Sequence, residues 1–417
     1  MTILLSFLMI WQIQAEPVTL QKVINAARDV AEFQQDITTS DEIYRQSGEV
    51  ADVNWYPQVN LNGEIGYQTD VPSVPISVPG TSVPEAPKDR YQINMNVRQT
   101  IWDGGRTASE KDNLRIERRL RDLDLLKAQD ERDRRVRNLY FSILKDRVQL
   151  DQLETSTKTL QERLQEVRIA VEQGAALSLR KNQLKAEQIS LTQQKQQVQR
   201  RLQGHLENLS NLTNLEFSLD QEFELPHQPQ KEFLSAESNT KIKYLTEQEQ
   251  SILHQKKLIS SDLKPKVQAF GTVGYANPGL NMFEDEFSEY AVGGISISWK
   301  LWDWGKTNRQ KEVITRQAKL IQQQKNRASQ QIETLIHEIK VAVSALDEII
   351  VEDEEIIQLR KQILDQIESQ WKAGAKTSAE YVEALSTLQQ AKIMRELHYI
   401  QQSELTQEML WITGKAY

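Results

Sequence analysis

Trp102-Asp103-Gly104-Gly105-Arg106-Thr107 returns 200 residues later as Trp302-Asp303-Trp304-Gly305-Lys306-Thr307. In both places an alternating apolar stretch ends at tryptophan and a long run without glycine or proline begins at the basic residue. Aspartate there supplies a helix cap, and the glycines supply a permissive backbone for the sharp change from strand to helix. Gly174 returns as Gly374 at the same offset, and Leu212-Thr213 matches Ile412-Thr413. Upstream the offset widens to 208, from Pro57 to Pro265, so the first copy holds eight extra residues, besides a proline-rich insertion at Pro72, Pro75, Pro79, Pro84 and Pro87. The chain reads as two tandem copies of one unit, residues 16–215 and 216–417.

Residues 106–173 and 306–373 contain no glycine or proline, 68 residues in each copy. A continuous helix of that length is about 100 Å long. Val136, Leu139, Ile143, Leu150, Leu153, Leu160, Leu164, Val167 and Val171 fall on alternating three- and four-residue steps, interrupted by Asp146 and Thr157. Ile336, Ile339, Val343, Leu346, Ile350, Ile357, Leu364, Ile367 and Trp371 keep the same phase in the second copy. This is a heptad seam. Gly174 and Gly374 stop the runs, because glycine adopts the left-handed conformation beyond a helix end without penalty. Further helical runs follow at once, at 175–203 and 375–413. Each copy therefore carries an antiparallel helical hairpin, about 106–214 and about 306–413, with its tip near 174–178 or 374–378.

The other end of each copy alternates with period two. Val59, Leu61, Ile65 and Tyr67 interleave with Asn60, Asn62, Glu64 and Gly66, and Tyr91, Ile93, Met95, Val97 and Ile101 with Gln92, Asn94, Asn96, Arg98 and Thr100. Val267, Ala269, Val273 and Tyr275, then Ile295, Ile297, Trp299 and Leu301, repeat the pattern. Strands are expected at about 56–70, 90–102, 265–277 and 290–302, each with one apolar and one polar face. Their length suits a tilted strand crossing a bilayer, and Tyr56, Trp102, Trp299, Trp302 and Trp304 gather at the helix-proximal ends, where an aromatic girdle would sit. Gly293-Gly294 inside the last strand reads as a bulge or bend.

The chain has 51 Lys+Arg against 59 Asp+Glu, a net charge of −8, and a mean hydropathy of −0.58. No apolar run is long enough for a membrane-spanning helix, which excludes a polytopic helical protein and leaves a β-barrel untouched, since alternating strands do not raise average hydropathy. The mild acidity argues against nucleic acid as a partner. Without cysteine no disulfide, thiolate metal site or lipid-modified N-terminal cysteine is expected, and the five histidines have no ligand spacing. Ile3 through Ile13 form an apolar core of signal-peptide length followed by Ala15, so residues 1–15 are expected to be an export signal.

No metalloprotease helix, phosphate-cradling loop, nucleophile elbow or dinucleotide fingerprint occurs; neither a cofactor, a metal nor an enzymatic activity is expected. The acidic run Asp347, Glu348, Glu352, Asp353, Glu354, Glu355 and the basic run Arg132, Arg134, Arg135, Arg137 read as solvated helix faces.

The order export signal, helix, β-hairpin, long helical hairpin, then the same again, resembles the TolC-like family of outer-membrane efflux channels over essentially the whole chain. The residues carrying the resemblance are Tyr56-Pro57, Ile101 through Arg106, Leu301 through Lys306, and the stretch from Gly374 to Lys392. It implies a mainly α protein with a β-barrel portion: a homotrimer whose three chains share one 12-stranded barrel in the Gram-negative outer membrane, in contact with lipid, continued by a periplasmic helical barrel. It implies as partners a periplasmic adaptor and an inner-membrane pump of the RND, ABC or MFS type, in tripartite efflux or type I secretion, with cargo unspecified. Glu380 and Glu383 match acidic positions that ring the periplasmic entrance in that family, and Trp371 and Lys376 match positions that latch it. Arg180 stands where the first copy often has an acidic latch partner, so an Arg180 to Glu380 contact across neighbouring hairpins is a possible substitute. The tips, Gly174, Ala175, Ala176, Leu177, Ser178 and Gly374, Ala375, Thr377, Ser378, would meet the adaptor. The alternative is a periplasmic coiled-coil scaffold whose hairpins never enter a membrane.

Overall fold

The structure, a computed structural model, describes residues 16–29, 31–72, 80, 85–227 and 236–414. The expected export signal at 1–15 lies outside them, as do Pro75, Pro79 and Pro84. The elements run α1 (Leu20–Arg28), α2 (Ala31–Asp52), β1 (Gln58–Tyr67), β2 (Asp89–Trp102), α3 (Arg106–Glu172), α4 (Ser178–Thr213), α5 (Thr240–Ser261), β3 (Lys266–Asn277), β4 (Ser288–Ser298), α6 (Lys306–Lys372) and α7 (Ser378–Ile412). None of these helices is long and apolar enough to cross a membrane. The chain divides into two compact units, each drawn from both halves of the sequence: Met1–Ile37, Leu123–Lys243 and Asn326–Tyr417 form one, Thr38–Asp122 and Tyr244–Lys325 the other.

The second unit holds a single antiparallel sheet in the order β1-β2-β3-β4. Its register sorts the side chains cleanly. Asn60, Asn96, Thr272 and Val292 share a row, as do Asn62, Asn94, Gly274 and Tyr290, while Leu61, Met95, Val273 and Ala291 line up on the opposite face. Cross-strand hydrogen bonds tie the polar face: Asn62 Nδ2 donates to Asn94 Oδ1 at 3.3 Å, Asn96 Nδ2 to Thr272 Oγ1 at 2.8 Å, and Gln92 Nε2 to the Tyr290 hydroxyl. The other face is bare, with Ile65 83% exposed and Ile297 71%.

Proline sets two strand boundaries. Pro57 and Pro265 have no N–H to give a ladder, and β1 and β3 start at the next residue in each case. Because β3 begins at Lys266, whose partner is Ser298, β4 ends there and does not continue to 302. Trp299 instead donates its indole N–H to the Leu263 carbonyl at 3.0 Å. Gly293 and Gly294 do not form a bulge; they stay in register with Gly271 and Phe270, and the irregularity falls between Thr100 and Trp102. A Cβ on Gly294 would lie 3.2 Å from the Phe270 ring, so the glycine makes room for an aromatic across the strand.

At each strand-to-helix junction the aspartate caps the helix. Asp103 accepts from the N–H groups of Gly105, Arg106 and Thr107 at 2.8, 3.1 and 2.6 Å, and Asp303 from those of Gly305 and Thr307 at 3.0 and 2.8 Å. Burial pushes the Asp103 carboxyl up, but hydrogen bonds from Thr107, Gly105 and Arg106 outweigh it and hold the pKa below the usual carboxylate value. Ion pairs then fasten the flanking helices to the start of α3: Arg118 to Asp41 on α2 at 2.7 Å and Arg119 to Glu247 on α5 at 3.0 Å.

In the first unit the heptad residues are buried or half-buried. Val136, Tyr140, Ile143 and Leu150 pack with α1 and with Leu202, Leu206 and Leu209 of α4. Further along, Leu160 and Val167 of α3 pack with Leu184 of α4 and with Ile357, Leu364, Trp371, Tyr381 and Leu385 of α6 and α7. Two members of the charged runs are not solvated. Arg137 is buried, ion-paired to Glu408 and lying over the Trp411 ring, and Asp353 is buried beside His398 at 2.6 Å. A paired charge is a tolerable core residue, which charge counting along a helix cannot detect.

Gly104 and Gly174 both lie at positive φ, +74° and +72°, but a Cβ on Gly104 would sit 2.8 Å from Lys264 Cβ and 3.0 Å from the Ser261 carbonyl, whereas Gly174 faces open space. G174A should lose about 1 kcal/mol for the left-handed backbone alone; G104A should lose about 1–3 kcal/mol more for the clash. Urea unfolding followed by circular dichroism measures both, and equal losses would contradict the packing at the junction.

Candidate functional site

The two hairpin tips stop in the same way and restart differently. At the end of α3 the Ala175 N–H donates to Ala170 O at 2.8 Å and Gly174 N–H to Val171 O at 3.1 Å; at the end of α6 Ala375 N–H donates to Gln370 O at 2.9 Å and Gly374 N–H to Trp371 O at 3.0 Å. These nested bonds with a left-handed glycine are the Schellman stop, and they satisfy carbonyls the helix leaves open. Both glycines have the required positive φ, +72° and +81°.

The first hairpin restarts on Leu177, which offers no side-chain cap, and Leu177 is 72% exposed. The second restarts on Thr377 with a full capping box. Thr377 Oγ1 accepts from Glu380 N–H at 3.2 Å, and Glu380 Oε2 accepts from Thr377 N–H at 2.8 Å. Lys376 Nζ donates to the other oxygen, Glu380 Oε1, at 2.6 Å. Glu380 is thus held locally by Lys376 and Thr377, while Glu383 stands exposed one turn on.

Arg180 does not turn to Glu380 within the chain. Its Nη2 donates to Trp371 O at 2.6 Å and Lys376 O at 3.4 Å, and its guanidinium lies 5.2 Å from the centre of the Trp371 ring. The first hairpin therefore grips the stop of the second through a carbonyl in the last turn of α6, where a cation is favoured, and through one in the turn that follows. Trp371 itself is buried, stacked on Tyr381 at 4.9 Å, with its indole N–H on Ser378 Oγ at 3.3 Å.

Sequence reading does not reach one further residue. Arg163, on α3, donates through Nε to the Tyr381 hydroxyl at 3.3 Å, through Nη1 to Glu166 at 3.0 Å, and through Nη2 to Glu368 on α6. Burial pushes Glu368 up, and the Lys372 and Arg163 side chains more than reverse this, keeping it below its ordinary value. Burial raises the Tyr381 phenol. No motif announces Arg163; an arginine beside a heptad seam looks like any other, and only the convergence of three helices gives it a role. Trp371, Lys376, Arg180 and Glu380 come together at one tip, whereas Ala175, Ala176, Leu177 and Ser178 form a separate, uncapped turn.

The Glu380 carboxyl is pulled to a pKa of about 2, first by the Lys376 hydrogen bond and then by the Thr377 N–H and hydroxyl, from an ordinary 4.5. A depressed carboxyl supports the fold fully above its unfolded value and loses that support as pH falls through its folded value. E380Q imitates the protonated form, so its melting temperature should lie below that of the wild type at neutral pH and converge with it as the pH falls from 4.5 to about 2. A gap that does not narrow would rule out the charged cap.

Comparison with known proteins fits the fold into one class. No curated protein matches the chain by sequence. Among solved structures, that of CusC superposes with a TM-score of 0.72 at 14% identity, covering 95% of this chain and 92% of that one. The outer membrane protein VceC from Vibrio cholerae gives 0.68 at 15% identity, covering 95% and 96%. The open-state MtrE outer membrane channel of Neisseria gonorrhoeae gives 0.69 at 17% identity, covering 95% and 89%. Residues 19–215 match the family model described as outer membrane efflux protein. Over those residues, just under half of the chain, it is similar to the outer membrane efflux protein family, and the fold it shares with the solved channels runs through both of its halves.

Proposed function

We propose that three copies of this chain form the passive exit duct of a tripartite efflux or type I secretion system, with a periplasmic adaptor docking at the hairpin tips and an inner-membrane pump supplying the energy. The observation that carries this reading is the sheet. Four strands have an exposed apolar face, an amide-rich opposite face and two free edges among the described residues. Four strands cannot close a barrel, and open edges with an apolar face are a hazard in water and untenable in lipid. Three copies edge to edge supply 12 strands, with lipid outside and the Asn60, Asn62, Asn94 and Asn96 face lining a wet lumen. The family is one of outer-membrane channels, which favours this over a periplasmic scaffold.

The helices support the same assembly. On α6 the exposed Leu335, Val341, Ile349, Ile356, Leu359 and Ile363 fall within a sector of about 120°, beside the buried seam. An apolar stripe of that length calls for a neighbouring helix, and a second copy of the chain supplies one. At the tip, threefold symmetry gathers Glu380 and Glu383 from each copy around one opening. A ring of carboxylates attracts cations and resists narrowing unless countered. Arg180, anchored on the Trp371 and Lys376 carbonyls, joins the two hairpins of one copy beside that ring.

Two experiments test the duct. The chain has no cysteine of its own, so single cysteines scanned along β1, each combined with one on β4, should give covalent trimers in membranes at one register; absence of trimer at every register sinks the shared barrel. In single-channel recordings E380A/E383A should lose cation preference and block by multivalent cations, and unchanged recordings would remove the ring.

A further inference from the structure

The two strand-to-helix junctions differ in how their cations are used. At the first, Arg106 pairs with Glu110 at 3.0 Å and Asp262 at 3.1 Å, and Lys111 pairs with Asp52. At the second, Lys306 and Arg309 are exposed and take part in no side-chain hydrogen bond or ion pair among the described residues. Asp303 is the carboxylate beside them, and its oxygens are committed to the Gly305 and Thr307 amides. Lys306 and Arg309 line an open groove of about 560 Å³ with Trp304, Val313, Gln255 and Ile259.

Trp304 gives this groove its shape at a backbone cost. Its φ of +57° puts a bulky residue in the left-handed region, at the place where the first copy has Gly104. Bulky residues are rare there, and the strain persists only where the surroundings or the use of the side chain maintain it. The ring is 84% exposed and meets Trp302 edge-on at 6.0 Å between centres. Exposed apolar residues run from Ile295 and Ile297 on the sheet face through Trp299, Leu301 and Trp302 to Trp304, with Lys300 and Asp303 between them. Lys306 and Arg309 follow in the first turn of α6. An apolar band closed by tryptophans and then by unpaired Lys and Arg is the order of groups across the boundary from acyl chain to headgroup.

We propose that this groove binds the headgroup phosphate of an anionic phospholipid in the periplasmic leaflet, with Lys306 and Arg309 on the phosphate and Trp304, Val313 and Ile259 against the glycerol and upper acyl chain. The site rests on the reading of the sheet as membrane-inserted. It would fix the depth of the duct at the second junction of each copy, where β4 stops short and no ion pair like those of Arg106 holds the start of the helix.

The test uses the full chain reconstituted in vesicles of phosphatidylcholine containing a minor share of phosphatidylglycerol. Flotation first establishes incorporation; a chain that stays out of the vesicles overturns the membrane reading and the site together. Incorporated protein is then extracted in mild detergent and its retained lipid counted by native mass spectrometry. Wild type should retain phosphatidylglycerol in preference to phosphatidylcholine, and K306Q/R309Q should lower that preference on the order of tenfold, while K340Q/K361Q further along α6 leaves it unchanged. Inorganic phosphate added during extraction should not displace the lipid, because the acyl contacts contribute. Equal retention of the two lipids by wild type, retention unaltered by K306Q/R309Q, or displacement by phosphate alone would overturn the assignment.

Discussion

A backbone N–H or C=O left unpaired in the hydrocarbon of a bilayer costs several kcal/mol, and β1 and β4 each carry a row of such groups along one side of the sheet. The apolar face of the same sheet belongs in lipid by its composition. Those two facts conflict in a single copy, and the proposed assembly reconciles them by pairing β1 of one chain with β4 of the next. The remaining features of the second unit serve that closure. Asparagines meet across the polar face, which keeps hydrogen-bonding groups off the lipid side, and Gly274 and Gly294 leave space for the rings of Tyr290 and Phe270. Asp103 and Asp303 satisfy the first amides of helices that start within a few residues of a strand.

Along the helices the controlling quantity is apolar area rather than hydrogen bonding, since every interior amide is already paired. The seam of α3 and α6 is buried within the chain, and α6 presents a second, unburied stripe beside it. In the proposed assembly, burial of such a stripe against another copy adds to the pairing of strand edges, so sheet and helices both favour association of copies. At the tips the polar contacts are few and directional. Glu380 is spent on its own capping box and on Lys376, Arg180 on carbonyls of the opposite hairpin, and Arg163 on Tyr381 and Glu368. Such an arrangement is stiff, yet it is joined by charge-assisted bonds that ionic strength and pH can weaken.

Much of this was legible in the residues themselves. The recurrence of Trp-Asp and of the tip glycines locates both junctions and both stops, because a helix that long needs a cap and a left-handed exit wherever it occurs. Period two and period seven separate strand from helix without ambiguity. What escaped depends on partners distant in sequence. The end of β4 at Ser298 follows from where Pro265 lets β3 begin, the regular pairing of Gly293 and Gly294 from the Phe270 ring, and the burial of Arg137 and Asp353 from Glu408, Trp411 and His398. The helix expected ahead of the first β-hairpin is likewise two helices, α1 and α2. At the tip, Glu380, Trp371 and Lys376 could be named from their positions, but the target of Arg180 could not, since a carbonyl at a helix end leaves no trace in composition.

Closure of the sheet is the claim on which the others rest, and amide hydrogen exchange of the membrane-reconstituted chain tests it directly. Along β1 and β4 alternate N–H groups point away from their partners within the chain. If copies pair edge to edge, those amides exchange as slowly as the amides of β2 and β3. If they exchange rapidly while β2 and β3 stay protected, the edges are open and the barrel does not form.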